Sequence, residues 1–306
     1  MADPSAAAYL RLTPAQWRER LDFFRATLTD CELCPRRCRA RRTEGQVGFC
    51  GQPAIARVAS TNLHHGEEPP ISGFRGSGTV FFSGCTLRCL FCQNYPISQL
   101  GHGRETTIDG LARAFLSLQR QGAHNINLVS PTPHLHSVVA ALAQAAGKGL
   151  TVPVLLNTSG YERVEVVAAL EDLIDIYLPD VKYAGGALAG ELSGATDYPE
   201  ADLAAVGEMV RQRPGLVLDE QEIAVRGTII RHLILPGEVE NSLQVLERIA
   251  GHWRGRVYFS LMSQYFPAHR AAETPRWNCR LTAEEYRTVR DRALDLGLDD
   301  GWFQEL

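Results

Sequence analysis

The sequence predicts an α/β fold, a partial (β/α)6 TIM-like barrel preceded by a cysteine-rich N-terminal extension. Three observations carry this. Six apolar, β-rich runs recur from Thr79 onward, helix-like segments separate them, and seven of the eight cysteines fall between Cys31 and Cys92. Strands alternating with helices make a parallel sheet with right-handed crossovers. Six units suit a partial barrel better than a closed eight-stranded one, and functional groups are expected at the C-terminal strand ends. The expected division is 1–75 for the extension and its loop, and 76–306 for the barrel.

Taken in order, residues 13–29 read as a helix: Thr13 caps it, Pro14 suits its first turn and apolar positions recur at helical spacing. Segment 31–51 has little apolar content. The following loop, 64–78 (HHGEEPPISGFRGSG), is too polar for core and too long for a mere connector. Strands are expected at 79–83, 125–129, 152–156, 174–178, 223–235 and 257–261. Helices are expected at 109–121, 135–147, 161–171, 200–213, 241–251 and 282–296, the last opening on Thr282 and Glu285 as a capping box.

Composition bounds the function. With 45% apolar and 22% charged residues, a net charge of −4 and a pI near 6.2, the chain reads as a soluble globular protein. It does not read as a general nucleic-acid or membrane-surface binder. The first twenty residues lack a signal-peptide pattern and no run is apolar enough to span a membrane, so a cytoplasmic protein is expected. Thiols stay reduced there, and closely spaced cysteines point to metal rather than disulfides.

The first barrel strand runs into GTVFFSGCTLRCLFCQN, which sets Cys85, Cys89 and Cys92 in a C-x3-C-x2-C loop at a strand's C-terminal end. Three thiolates ligate three irons of a 4Fe–4S cube and leave the fourth open, whereas structural zinc takes a fourth protein ligand. This loop, with aromatic Phe91 before the third cysteine, resembles the signature of the radical S-adenosylmethionine (radical SAM) superfamily. The resemblance extends to a subgroup of pyruvate formate-lyase (glycyl radical enzyme) activating enzyme-like proteins. It is carried by Cys92–Tyr95 (CQNY), Gly66–Pro70 (GEEPP), Arg231–Gly237 (RHLILPG) and Ser260–Pro267 (SLMSQYFP).

The resemblance implies S-adenosylmethionine bound at the open iron, its reductive cleavage to a 5′-deoxyadenosyl radical, and hydrogen-atom abstraction by that radical. It also implies a reductant such as flavodoxin or ferredoxin and a glycyl radical protein as partner. The family's Gly-Gly-Glu-Pro motif is replaced here by Ser130-Pro131-Thr132-Pro133-His134, so Ser130 and Thr132 are the hydrogen-bonding candidates for the cofactor ammonium, or merely a turn before a helix. Asn157 is the pocket candidate after the third strand, with a helix cap as its other role. Asp180 and Lys182 resemble the D-x-K motif of activating enzymes and share one face of an extended segment, as a cofactor contact or a solvated ion pair. Arg231 and His232 on strand five, and Gln264 and Tyr265 after strand six, are further candidates; an inward Arg needs an anionic partner.

Cys31, Cys34, Cys38 and Cys50 form C-x2-C-x3-C-x11-C, suited to zinc or to a fully ligated second 4Fe–4S cluster. Arg36, Arg37, Arg39, Arg41 and Arg42 balance the thiolate charge, dock an acidic partner or aid solubility. Cys279 stands apart as an ordinary half-buried residue. The loop His64-His65-Gly66-Glu67-Glu68 carries plausible metal or substrate ligands and either folds over the barrel mouth or is a solvated acidic loop. Three functions follow: activation of a glycyl radical enzyme, the same radical chemistry on a small molecule or peptide, or a non-catalytic iron–sulfur carrier.

Overall fold

The computed structural model describes residues 6–306; the first five residues of the stretch read for a signal peptide lie outside the described residues. Ten strands form one sheet: β1 (Ala56–His64), β2 (Ser77–Phe82), β3 (Arg104–Thr106), β4 (Ile126–Val129), β5 (Val154–Thr158), β6 (Ile176–Pro179), β7 (Leu216–Leu218), β8 (Ala224–Leu233), β9 (Tyr258–Met262) and β10 (Gly301–Phe303). Their order is β10-β9-β8-β6-β5-β4-β2-β1-β3, with β7 paired to β8. The six expected strands are β2, β4, β5, β6, β8 and β9, all parallel. β10 extends the parallel run, and the sheet stays open between its two edges.

β1 and β3 pair antiparallel at one edge, so β1 crosses the expected 75/76 boundary by pairing with β2. Neither was visible in the sequence: β1 (ARVASTNLH) is mostly part-exposed and polar, and β3 is only three residues long. A helix at Gly186–Ser193 also escaped notice because two glycines lower its intrinsic propensity.

The expected helices are observed at Pro14–Ala26, Ile108–Arg120, Leu135–Ala146, Val164–Ala169, Tyr198–Gln212, Val239–Trp253 and Ala283–Asp295. Capping boxes start the first and last of these, Thr13 with Gln16 and Thr282 with Glu285. One core packs Val80, Leu128 and Leu156 against Phe115 and Leu142, and it reaches Cys31, Leu33 and Ala40 of the cysteine segment. Another joins β8 and β9 to the helix Val239–Trp253. A third lies beneath the three-cysteine loop and contains Leu87, Leu90, Tyr183, Tyr198 and Trp277. Buried Asp175 fastens the N-terminal segment to the sheet by accepting from Ala8 N at 2.7 Å and Val154 N at 2.9 Å.

Candidate functional site

The C-terminal ends of the parallel strands converge on a cavity of about 440 Å³. β2 delivers Cys85, Cys89, Phe91 and Cys92; β4 delivers Ser130; β5 delivers Asn157; β6 delivers Asp180 and Lys182; β8 delivers Arg231; and β9 delivers Gln264. Sequence neighbours on a strand point to opposite faces. Arg231 therefore enters the cavity while His232 is fully buried behind it, bonded to Val181 O and Ser242 Oγ. That burial pushes the His232 imidazole down to about 4.

Arg231 organises the floor. Its Nε donates to Asp180 Oδ1 at 2.8 Å, one terminal nitrogen to Asn157 Oδ1 at 2.6 Å and the other to Glu67 Oε2 at 3.2 Å. Lys182 Nζ donates to the second Asp180 oxygen at 2.5 Å. The Asp180 and Lys182 side chains are only 16% and 14% exposed, so this is not a solvated pair. Burial alone would raise Asp180, but Arg231 and Lys182 hold its carboxyl below the usual range. Lys182 is likewise disfavoured by burial, yet Asp180 and Cys89 keep its ammonium above its ordinary value.

Sequence reasoning offered Glu67 within the His64–Glu68 loop as a plausible ligand over the barrel mouth, but not as the partner of Arg231. Its carboxylate accepts from the Asn127 and Asn157 side-chain amides at 3.0 and 3.3 Å as well as from Arg231. Burial raises Glu67 and Arg231 opposes that shift. The His64–Glu68 loop is thus no solvated acidic loop: Glu67 and His64 line the cavity, and Glu68 is buried. The available signal was Glu67 itself, an acid between a glycine and two prolines before a strand.

The three thiols rim the cavity. Burial pushes Cys85 up to about 12 and Cys89 up to about 11, the latter countered by the Lys182 charge. Ligation would displace those protons. Cys89 Sγ lies 2.9 Å from Ser193 Oγ, which lies 2.6 Å from the Tyr183 hydroxyl. Cys92 Sγ lies 3.2 Å from Ser98 Oγ. Among the described residues, no three His, Cys, Asp or Glu side chains converge to hold a single metal ion. Cys85, Cys89 and Cys92 line the same cavity, which fits a cubane, whose cysteines bind separate irons.

Several candidates sit elsewhere. Thr132 turns away from the cavity and donates to buried Glu162 at 2.6 Å, as Thr158 does at 2.5 Å. Burial raises Glu162 to about 7 against those two hydrogen bonds. Asn157 caps no helix, since the next begins at Val164. Tyr265 is buried beside Phe91 with its hydroxyl on Trp277 O. Cys279 is exposed rather than half-buried because its segment lies on the surface.

Cys31, Cys34, Cys38 and Cys50 line a second, smaller cavity with Leu33, Phe49 and Arg42. Of the arginine run, Arg37, Arg39 and Arg41 are exposed and Arg42 is buried. Arg36 reaches the barrel, donating to Thr86 O at 3.0 Å and stacking 4.0 Å from the Phe49 ring. No described helix is long and apolar enough to cross a membrane.

Comparison with known proteins gives three kinds of match. The chain is 29% identical over 279 residues to the uncharacterized protein MJ0674 of Methanocaldococcus jannaschii, covering 88% of this chain and 76% of that one. It is 33% identical over 82 residues to MJ0808 of the same organism, 22% of this chain and 24% of that one. Among solved structures it is similar to Streptococcus suis SuiB bound to S-adenosylmethionine, with TM-score 0.46, 12% identity and coverage of 72% of this chain and 45% of that one. It is also similar to native anSMEcpe with bound AdoMet, with TM-score 0.46, 11% identity and coverage of 70% and 57%. The chain thus spans about half the length of these solved chains. Residues 79–184, which run from β2 through Asp180 and Lys182, match the Radical SAM superfamily, and the protein therefore carries a radical SAM domain.

Proposed function

We propose that this protein is a radical SAM enzyme that activates a glycyl radical enzyme by taking a hydrogen atom from a glycine of that partner. In this reading Cys85, Cys89 and Cys92 hold a 4Fe–4S cluster and S-adenosylmethionine occupies the adjoining cavity. Flavodoxin or ferredoxin supplies the electron, Cys31, Cys34, Cys38 and Cys50 hold a second metal, and residues 1–75 act as an extension to the barrel. One observation carries it: three thiols and a buried Glu67–Arg231–Asp180–Lys182 network face one cavity at the strand ends.

The chemistry supplied there is one-electron cleavage of a carbon–sulfur bond of S-adenosylmethionine and hydrogen-atom abstraction by the resulting carbon radical. The chain's own residues bind and shield. Two acids and two bases in the network cancel, so the floor is neutral overall and presents opposite charges to a zwitterionic ligand. Lys182 is placed to pair with a carboxylate while countering the thiolates. Ser130 and Asn157 offer hydrogen bonds, and Phe91, packed on Tyr265, excludes water from one wall.

The test is anaerobic: reconstitute with iron and sulfide, reduce, add S-adenosylmethionine and measure 5′-deoxyadenosine. Wild type should form it and Cys89→Ala should not; no product, with an unaltered cluster EPR signal, favours a non-catalytic carrier. With a glycyl radical protein deuterated at glycine, deuterium should enter the product. Turnover without deuterium transfer favours a small molecule or peptide as hydrogen donor.

A further inference from the structure

We infer that the small pocket ending in Glu162 is the subsite for the ammonium group of the ligand in the main cavity, with the Glu162 carboxylate as its counter-charge. This rests on the reading that S-adenosylmethionine occupies the main cavity and deepens it by assigning one of its charged groups.

The first observation is an acid without a base. Glu162 is 3% exposed. Thr132 and Thr158 both donate to the same oxygen, Oε1, at 2.6 and 2.5 Å. Among the described residues no hydrogen bond reaches Oε2, and no Lys, Arg or His pairs with this carboxylate. The acids on the cavity floor are treated differently: Arg231 holds both Glu67 and Asp180, and Lys182 holds Asp180 as well. A buried carboxylate is costly unless hydrogen bonds and a cation compensate it. At Glu162 the chain supplies the first to one oxygen and leaves the second to a ligand.

The second observation is the pocket itself. It measures about 10 Å³, room for one water-sized group, and is lined by Cys85, Ser130, Thr132, Thr158, Ser159 and Glu162 among others. Cys85, Ser130, Thr158 and Ser159 also line the main cavity, which makes the pocket an annex of it. The Ser130 and Ser159 hydroxyls make no hydrogen bond among the described residues, so they remain free to accept. With Oε2 they offer three acceptors, and an ammonium has three N–H donors.

The backbone is bent to this arrangement. Ser130 holds φ 52°, a left-handed conformation that residues other than glycine seldom adopt. Its amide is tied to Asn157 O at 2.9 Å, and the turn that follows brings Thr132 onto Glu162. Conformations of this kind persist where the surroundings enforce them, commonly at ligand sites.

Size and charge select the group. A water would satisfy Oε2 but leave its charge uncompensated. S-adenosylmethionine carries two cations. Its sulfonium bears three carbons and cannot enter a space for one water-sized group, whereas its ammonium is terminal and of that size. Lys182, placed to pair with a carboxylate, lines the main cavity but not the annex, so the two charged ends of the ligand have separate partners.

The experiment reads binding rather than turnover. The reconstituted full chain, kept oxidised so that no cleavage occurs, is equilibrated with S-adenosylmethionine or with its analogue lacking the α-amino group. Equilibrium dialysis gives the Kd of each. Wild type should prefer S-adenosylmethionine, and Glu162→Gln should narrow that preference about 10- to 100-fold. An unchanged preference in the folded variant means that the pocket holds water only; it overturns the inference and leaves S-adenosylmethionine binding intact. Equal binding of the two compounds to wild type does the same. Binding of neither overturns both readings. Should Glu162→Gln not fold, Ser130→Ala combined with Ser159→Ala decides: the preference should narrow severalfold, and an unchanged preference overturns the assignment.

Discussion

Glu67 and Arg231, 164 residues apart in the chain, meet at 3.2 Å over the strand ends. The loop before β2 is thereby pinned to β8 across the cavity, and one wall of the site comes from outside the radical SAM domain match at 79–184. Glu67 also receives two amide donors, from Asn127 on β4 and Asn157 on β5. Four elements depend on one carboxylate.

That dependence makes Glu67→Ala expensive. Removing one partner of a buried pair leaves the other uncompensated and typically costs about 3 kcal/mol or more. Asp180 still contacts Arg231, which limits the damage. Glu67→Gln keeps an acceptor and should cost less. Anaerobic denaturant titration of both variants checks this; wild-type midpoints for both would mean that the loop is not integral to the site.

Ser193 supplies a hydroxyl 2.9 Å from the Cys89 sulfur. Hydrogen bonds to a cluster's cysteines stabilise its more negative, reduced form. Ser193→Ala should keep the iron content and shift the first cluster's midpoint potential to a more negative value. Potentiometric titration followed by EPR reads both, and loss of iron instead would show that Ser193 is needed for assembly.

Gly160 lies between the β5 loop and the Asp180 segment with φ +79°. A Cβ there would lie 2.5 Å from Asp180 O and 3.1 Å from the Tyr198 hydroxyl. Gly160→Ala is therefore expected to destabilise by roughly 2 kcal/mol or more and to displace Asp180. Thermal melts and S-adenosylmethionine cleavage should fall together. A variant of normal stability and activity would show that the loop yields freely.

Asp175 carries a pH dependence of its own. Burial raises its carboxyl to about 6, against the pull of the Val154 and Ala8 amides. A folded pKa above the unfolded value of roughly 3.9 means the folded state holds the proton more tightly. Its contribution is therefore full below about pH 4 and lost as pH rises through about 6. Asp175→Asn should flatten the stability–pH curve over that window. It should also cost about 1–3 kcal/mol, because one backbone N–H then faces an amide donor. Urea midpoints across the window decide it; parallel curves for both proteins would remove Asp175 as the source.

Much of the site was legible in the sequence where chemistry and position coincide. Cys85, Cys89, Cys92, Phe91, Ser130, Asn157, Asp180, Lys182 and Arg231 all line one cavity because each ends or follows a recognisable strand. Thr132 did not join them: the chain turns after Ser130, at φ 52°, and directs that hydroxyl to Glu162. The partners of the Glu67 carboxylate, the Ser193 hydroxyl and the unpartnered Nε of Arg42 were not legible, although Glu67 itself was a candidate of the loop over the mouth. Each lies outside the strand-end pattern, and each gains its meaning from a neighbour distant in sequence.

By itself the sequence determined the alternation of strands and helices, the parallel run of the sheet and the two cysteine sets, since periodicity and spacing are local properties. It also determined that the site would lie at the strand ends, which follows from connectivity alone. Only the tertiary structure decided which charges pair. Arg231 takes Asp180, Asn157 and Glu67 as partners because β8 lies beside β6 in the sheet and the loop before β2 folds over both. Burial then does what spacing cannot show: it makes an unpaired charge costly, so every group at the cavity floor is held by its neighbours.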